Sequence, residues 1–231
     1  METKLKYILL QALFILSGLN GTLVAQYSAG GGITTIHGAN IDITRVGIHG
    51  FFEQPRTEIN TFFLRGTLTI PQRNINTAQL EAKTFGVTPQ KIDDVRVIDK
   101  TSFFAVDGGT RIYFINTYDA SFALYGGGHL KGIISSYSRS FDLSSGISPD
   151  DYFYVVNGNY NNVENVRPVY SLLFSFGGNF GAKYQLPYRG AITFDVALDL
   201  ISRLYDPGGI LGQEISPLSL SFNLAYRFDW Y

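Results

Sequence analysis

From Pro217 to Trp230 the chain alternates between apolar and polar positions. Leu218, Leu220, Phe222, Leu224, Tyr226, Phe228 and Trp230 fall on one set, and Ser219, Ser221, Asn223, Ala225, Arg227 and Asp229 on the other. A strand turns successive side chains to opposite faces, so a period of two predicts one apolar and one polar face. The same period marks seven earlier stretches, at 27–37, 45–54, 58–70, 101–115, 120–141, 169–186 and 191–205. Their polar faces collect Arg45, His49, Glu53, Arg65, Asp107, Arg111, His129, Lys131, Asp195, Asp199 and Arg203, which Arg227 and Asp229 join from the last strand.

The connectors alternate too. Those at 54–57, 116–119 and 187–190 are tight, whereas 38–44, 71–100, 142–168 and 206–217 are longer. Eight strands with short links at one end and long links at the other predict an all-β fold, an eight-stranded antiparallel transmembrane up-and-down β-barrel with its apolar face towards lipid. A soluble eight-stranded barrel would bury the apolar face and show the polar one to water. Here the polar faces are rich in Gly, Ser, Ala and Thr and carry charges of both signs, as a narrow lumen requires. An open sheet edge cannot face lipid, so the last strand is expected to pair with the first.

Two long connectors have their own signals. Asn76 with Gln79 three residues later and Gly86 beyond predicts a short capped surface helix over 76–83, and Thr88-Pro89 a second helix start. Segment 142–167 is polar but holds Tyr152, Phe153, Tyr154 and Tyr160. Polar residues with exposed aromatics suit a partner-binding surface and equally a mobile loop without a partner.

The inward charges nearly balance in sign. A hydrogen-bonded ion-pair network filling the lumen accounts for them, because charges in low dielectric must be paired. His49 and His129 are both expected to face inward, yet two histidines without a third ligand at recognisable spacing do not make a zinc site. Neither a catalytic set nor a metal or cofactor site is expected. Gly30-Gly31-Gly32 and Gly126-Gly127-Gly128 lie inside strand patterns, so they read as relief of crowding or sites of curvature, not as phosphate loops.

A formal net charge of −1 removes any global electrostatic case for a nucleic-acid partner, and zero Cys excludes disulfides, thiolate metal sites and a Cys nucleophile. Lys4 and Lys6, an apolar run at 7–16 and a small-residue approach to Ala25 read as a secretory signal peptide over 1–25. Cleavage after Ala25 is expected to leave the barrel at 26–231, beginning at Gln26.

The apolar last strand closing on Phe222, Tyr226, Phe228, Trp230 and Tyr231 resembles the assembly signal of bacterial outer-membrane β-barrels. Tyr231 is one residue out of phase with the others. With the signal peptide and eight strands, the whole chain resembles small barrels of the OmpA and OmpX type, in a Bacteroidetes-like style. It ends without the peptidoglycan-binding domain that follows the OmpA barrel. Asp107-Gly108-Gly109 and Gly126-Gly127-Gly128 also resemble TraO proteins of Bacteroides conjugative elements. The resemblance implies location in the outer membrane, contact with its lipid, and insertion by the barrel-assembly machinery. It further implies a non-enzymatic structural or interaction role through the extracellular loops with an unknown protein partner. A conjugative-transfer protein, a small pore and a surface adhesin are the alternatives. Outer-membrane lipid hydrolases of related fold place His and Ser close together on a lipid-facing strand edge, and no His-x-Ser occurs here.

Overall fold

The computed structural model describes residues 27–39, 41, 44–156, 159–187, 190–207, 209–211 and 214–230. The expected signal peptide and Tyr231 lie outside the described residues. The strands are β1 (Tyr27–Gly38), β2 (Thr44–Thr57), β3 (Asn60–Thr69), β4 (Gln72–Ala82), β5 (Lys91–Ile115), β6 (Phe122–Asp142), β7 (Tyr152–Val156), β8 (Asn159–Asn162), β9 (Val166–Leu186), β10 (Gly190–Tyr205) and β11 (Leu218–Trp230). One 3₁₀ turn, Pro149–Asp151, precedes β7.

Eight strands form a closed antiparallel ring in the order β1, β2, β3, β5, β6, β9, β10, β11. The ring shuts where β11 meets β1, with Tyr27 opposite Trp230 and Gly38 opposite Ser219, and where β3 meets β5, with Leu68 opposite Phe104. Closure leaves the lipid-facing wall without an open edge.

The two faces divide as the alternation predicts. On β5, Phe104, Val106, Ile112 and Phe114 are exposed on the outside, while Phe103, Ala105, Asp107, Arg111 and Tyr113 are buried inside. The ten residue steps from Phe104 to Phe114, at the rise of a strand tilted as barrel strands are, make an apolar belt about 25 Å tall. That height matches a bilayer interior. Above the belt the outward positions of β6 become Ser136, Ser138 and Ser140. Tyr27, Phe122, Tyr184, Tyr226, Phe228 and Trp230 gather at the lower rim, where Phe228 and Trp230 meet edge to face at 5.3 Å. Such aromatic girdles stand at membrane interfaces. The short turns mark the same end as the periplasmic one.

Local expectations change in three places. The first turn lies later than 54–57, because Gln54 and Pro55 still pair with Phe62 and Thr61 and a bulge follows Pro55. Proline has no N–H for a ladder, and a bulge accommodates it. The predicted helix at 76–83 is instead most of β4. Beyond Phe104, β5 runs on without β3 beside it, and β4 fills that vacant edge from Gln72 opposite Thr101 to Glu81 opposite Lys91. A helix cap satisfies a donor or two, whereas the ladder satisfies the backbone along the whole segment. The predicted second helix start at Thr88-Pro89 lies outside any helix, in the turn between β4 and β5.

The described residues of the 142–167 connector also form strands. β7 pairs with β4 through Gln79–Ala82, and β8 pairs with β7. Together β4, β7 and β8 form a ribbon rising from the upper half of β5. It has its own apolar core, where Leu80, Val95, Val97, Phe141, Tyr152 and Val163 are buried together.

Candidate functional site

The lumen is filled by one polar network with aromatic spacers. At its centre Arg111, fully enclosed, donates to Glu53 at 2.8 Å and to Asp195 at 3.1 Å. Its guanidinium also lies over Phe63 at 4.7 Å and Tyr125 at 4.8 Å. Glu53 further accepts from Thr61 at 2.6 Å and Tyr113 at 3.0 Å, and Tyr125 donates to Asp195 at 2.7 Å. Arg65 forms a bidentate pair with Asp107, its closest contact 2.8 Å. Each of these ions is buried against an opposite charge, and Glu53 and Asp195 gain further hydrogen bonds from neighbouring hydroxyls.

His129 and Lys131 converge on Asp199, the histidine Nε2 at 2.8 Å and the ammonium at 2.5 Å, and Ser175 donates to the same carboxylate at 2.9 Å. A serine nucleophile needs its hydroxyl on the histidine and the carboxylate behind it. Here Ser175 and His129 both bond Asp199, so the hydroxyl is aimed at the carboxylate and not at the imidazole. His49 lies inward beside Phe51 at 6.2 Å between ring centres. Among the described residues no three side chains converge as a metal site.

Both ends of the lumen are stoppered. Tyr118, in the turn between β5 and β6, folds up into the barrel and is 2% exposed. Its hydroxyl bonds Ser28, its carbonyl accepts from Lys183, and the Arg227 guanidinium lies over its ring at 4.3 Å. Arg227 also pairs with Asp229 at 2.8 Å and lies 3.6 Å from Glu53.

At the upper end the described residues of the 206–217 connector turn back into the mouth. Ile210, Leu211 and Ile215 bury against Phe103, Ile133, Tyr137 and Leu173. Asp206 ties the connector's start, accepting from Ser171 at 2.7 Å and from the N–H groups of Ile210 and Leu211 at 3.1 Å. Although burial works against ionisation, these bonds and Arg203 hold the Asp206 carboxyl below its ordinary range. At the connector's far end Arg45 donates to the Glu214 carbonyl at 2.5 Å. Burial, aided by Asp99, pushes the Glu214 carboxyl above its ordinary value against the pull of Arg45 and Thr101. Beneath this plug a cavity of about 40 Å³ remains, room for water and little else.

Of the residues expected in the lumen, Arg203 is placed elsewhere. Its side chain is 61% exposed at the mouth, 3.7 Å from Asp206, and donates to the Leu211 carbonyl at 2.9 Å. Arg203 keeps its register opposite the inward Leu173, but it stands at the mouth end of β10 just before a bulge, and its long side chain reaches out of the lumen to the connector. Tyr118 and the plug carried no sequence signal, since neither belongs to a periodic stretch. Phe51 and Phe63 were legible by parity, as the inner members of the Phe51-Phe52 and Phe62-Phe63 doublets.

On the ribbon, Tyr152 is buried in the core. Phe153 meets Tyr160 edge to face at 6.0 Å and takes the Lys83 ammonium over its ring at 5.0 Å. Tyr160 donates to Glu81 at 3.0 Å, and Tyr154 accepts from Arg139 at 2.9 Å.

No protein-family model matches the sequence, and no curated protein matches it. Solved structures do. Neisserial surface protein A superposes with a TM-score of 0.51 at 8% identity, over 91% of this chain and 100% of that one. A major outer membrane protein from Thermus thermophilus gives 0.48 at 9%, over 90% and 100%. Ail of Yersinia pestis, solved with the heparin analogue sucrose octasulfate, gives 0.41 at 10%, over 89% and 97%. The likeness to the Neisserial protein carries the fold, that of a small outer-membrane β-barrel. With an apolar belt outside and a polar lumen within, this chain is a transmembrane barrel of the bacterial outer membrane.

Proposed function

We propose that this chain is a non-enzymatic interaction component of the outer membrane, binding another protein of an outer-membrane assembly through its extracellular ribbon. The observation that carries this reading is the order of residues 72–99 and 142–166. Membrane insertion needs none of them, yet they pair strand to strand and bury a core of their own. Long connectors that hold such structure are usually functional. The ribbon's outer side offers Phe153 and Tyr160 with Lys83 and Glu81 beside them, aromatic anchors among charges. A lumen stoppered at both ends supports an interaction role over a pore. In this reading the assembly machinery engages β11 during insertion, through the outward row Phe222, Tyr226, Phe228 and Trp230.

The test is to replace 72–90 and 143–165 separately with four-residue turns and purify each barrel from native outer membranes. Heat-modifiable migration should survive while co-purifying protein is lost. Unchanged partner recovery in both replacements would move the contact to the lipid-facing wall.

A further inference from the structure

The ribbon also has an inner side, and there it forms a concave cleft of about 940 Å³ over the mouth of the barrel. Asn76, Thr77, Tyr154, Asn159 and Asn161 line it, with Asp99 and Arg139 forming one wall. That volume lies at the upper end of the range of small-molecule sites. We propose that this cleft binds a short neutral oligosaccharide, a ligand independent of the protein contact assigned to the ribbon's outer side.

Charge argues first. Arg139 and Asp99 form a two-bonded pair at 2.7 and 2.9 Å, so the wall they make has no net charge. An anionic ligand would meet the Asp99 carboxylate and a cationic one the Arg139 guanidinium. A sulfated sugar would need unpaired cations, and among the described residues Arg139 is the one cationic side chain lining the cleft, already engaged. An apolar ligand would strip water from Asn76, Asn159 and Asn161 without replacing its hydrogen bonds.

Hydrogen-bonding chemistry argues next. A primary amide side chain both donates and accepts, and so does each sugar hydroxyl. Three asparagines and a threonine therefore suit the adjacent hydroxyls of a sugar.

The wall is set before any ligand arrives. Arg139 spans from Asp99 to the Tyr154 hydroxyl at 2.9 Å, and Tyr137 donates to Asp99 at 2.9 Å. Groups already fixed lose little freedom on binding, which favours even a weak polar ligand.

The test uses the full chain folded in a zwitterionic detergent, since sugar-headed detergents would compete. Maltotetraose, mannotetraose, triacetylchitotriose and a heparin tetrasaccharide are titrated calorimetrically to about 10 mM, a range that reaches millimolar affinity. At least one neutral sugar should bind and the heparin fragment should bind at least tenfold more weakly. Asn159→Ala and Asn161→Ala should each weaken the neutral sugar at least tenfold while heat-modifiability persists. Amide shifts of the native protein with that sugar should cluster on β4, β7 and β8, a readout that does not depend on the variants folding. Absence of neutral-sugar binding, preference for the heparin fragment, or shifts lying elsewhere would each overturn the assignment.

Discussion

Phe222 and Ser221 are neighbours in β11 with opposite surroundings, the first on the lipid face beside Val196 and the second buried in the lumen opposite Ala197. Phe222→Arg should cost insertion about 2–4 kcal/mol if it sits near the bilayer midplane, whereas Ser221→Ala should change little. Both are read from unfolding of the membrane-inserted protein, and equal tolerance would mean the faces are reversed. Inside, Arg111→Met would leave Asp195 without its cation and Glu53 with only the more distant Arg227. Removing one partner of a buried pair costs roughly 3–5 kcal/mol, measurable as a lower urea midpoint in detergent. Gly127 answers to backbone spacing, because a Cβ there would lie 1.8 Å from the Thr110 carbonyl oxygen. Gly127→Ala should therefore reduce the yield of folded, heat-modifiable barrel. Parity alone told most residues' faces, and it misplaced Arg203 because that residue, though still in register opposite Leu173, stands at the mouth where a long side chain can leave the lumen.

Among the elements, β4 and the 206–217 plug show where local pattern loses to available partners. The Asn76 to Gln79 spacing is a sound cap, but the upper edge of β5 lay open and a strand could pair along it. Which edges are left open depends on how long each neighbour runs, a fact about two distant segments. The plug hangs on Asp206, whose ionised form is favoured in the folded connector. A carboxyl with a lowered folded value stabilises above its unfolded value and loses that contribution as pH falls. Protection of the Ile210 and Leu211 amides from hydrogen exchange should thus be full at neutral pH. It should decline as pH drops below about 4, and in Asp206→Asn it should be weak throughout. Protection independent of pH in the native chain would show that the hydrophobic contacts of Ile210 and Leu211 hold the plug alone.

For the whole molecule, an eight-stranded ring leaves an interior only wide enough for side chains, and this one is closed below by Tyr118 and above by Ile210, Leu211 and Ile215. Negligible conductance is expected in planar bilayers. A steady open channel would mean that the plug leaves the mouth in the membrane, and a transport role would then replace the interaction reading. The ribbon adds a second layer, a small core standing above the lumen on the long strands β5 and β6.

The sequence by itself determined the ring. A strict period of two, short and long connectors in alternation, and charges confined to one face admit few arrangements other than a closed membrane barrel, because lipid forbids both an open edge and an outward charge. It also determined which charges enter the lumen, though not which pairs form: Arg111 meets Glu53 and Asp195 from sequence distances of 58 and 84 residues. Tertiary structure alone decided that Tyr118 seals the base, that 206–217 seals the mouth, and that two polar connectors join as a ribbon enclosing a cleft. The reason is physical. Periodicity reports a residue's relation to a face its own strand creates, whereas a plug, an edge pairing or a cleft depends on space that other segments leave unfilled.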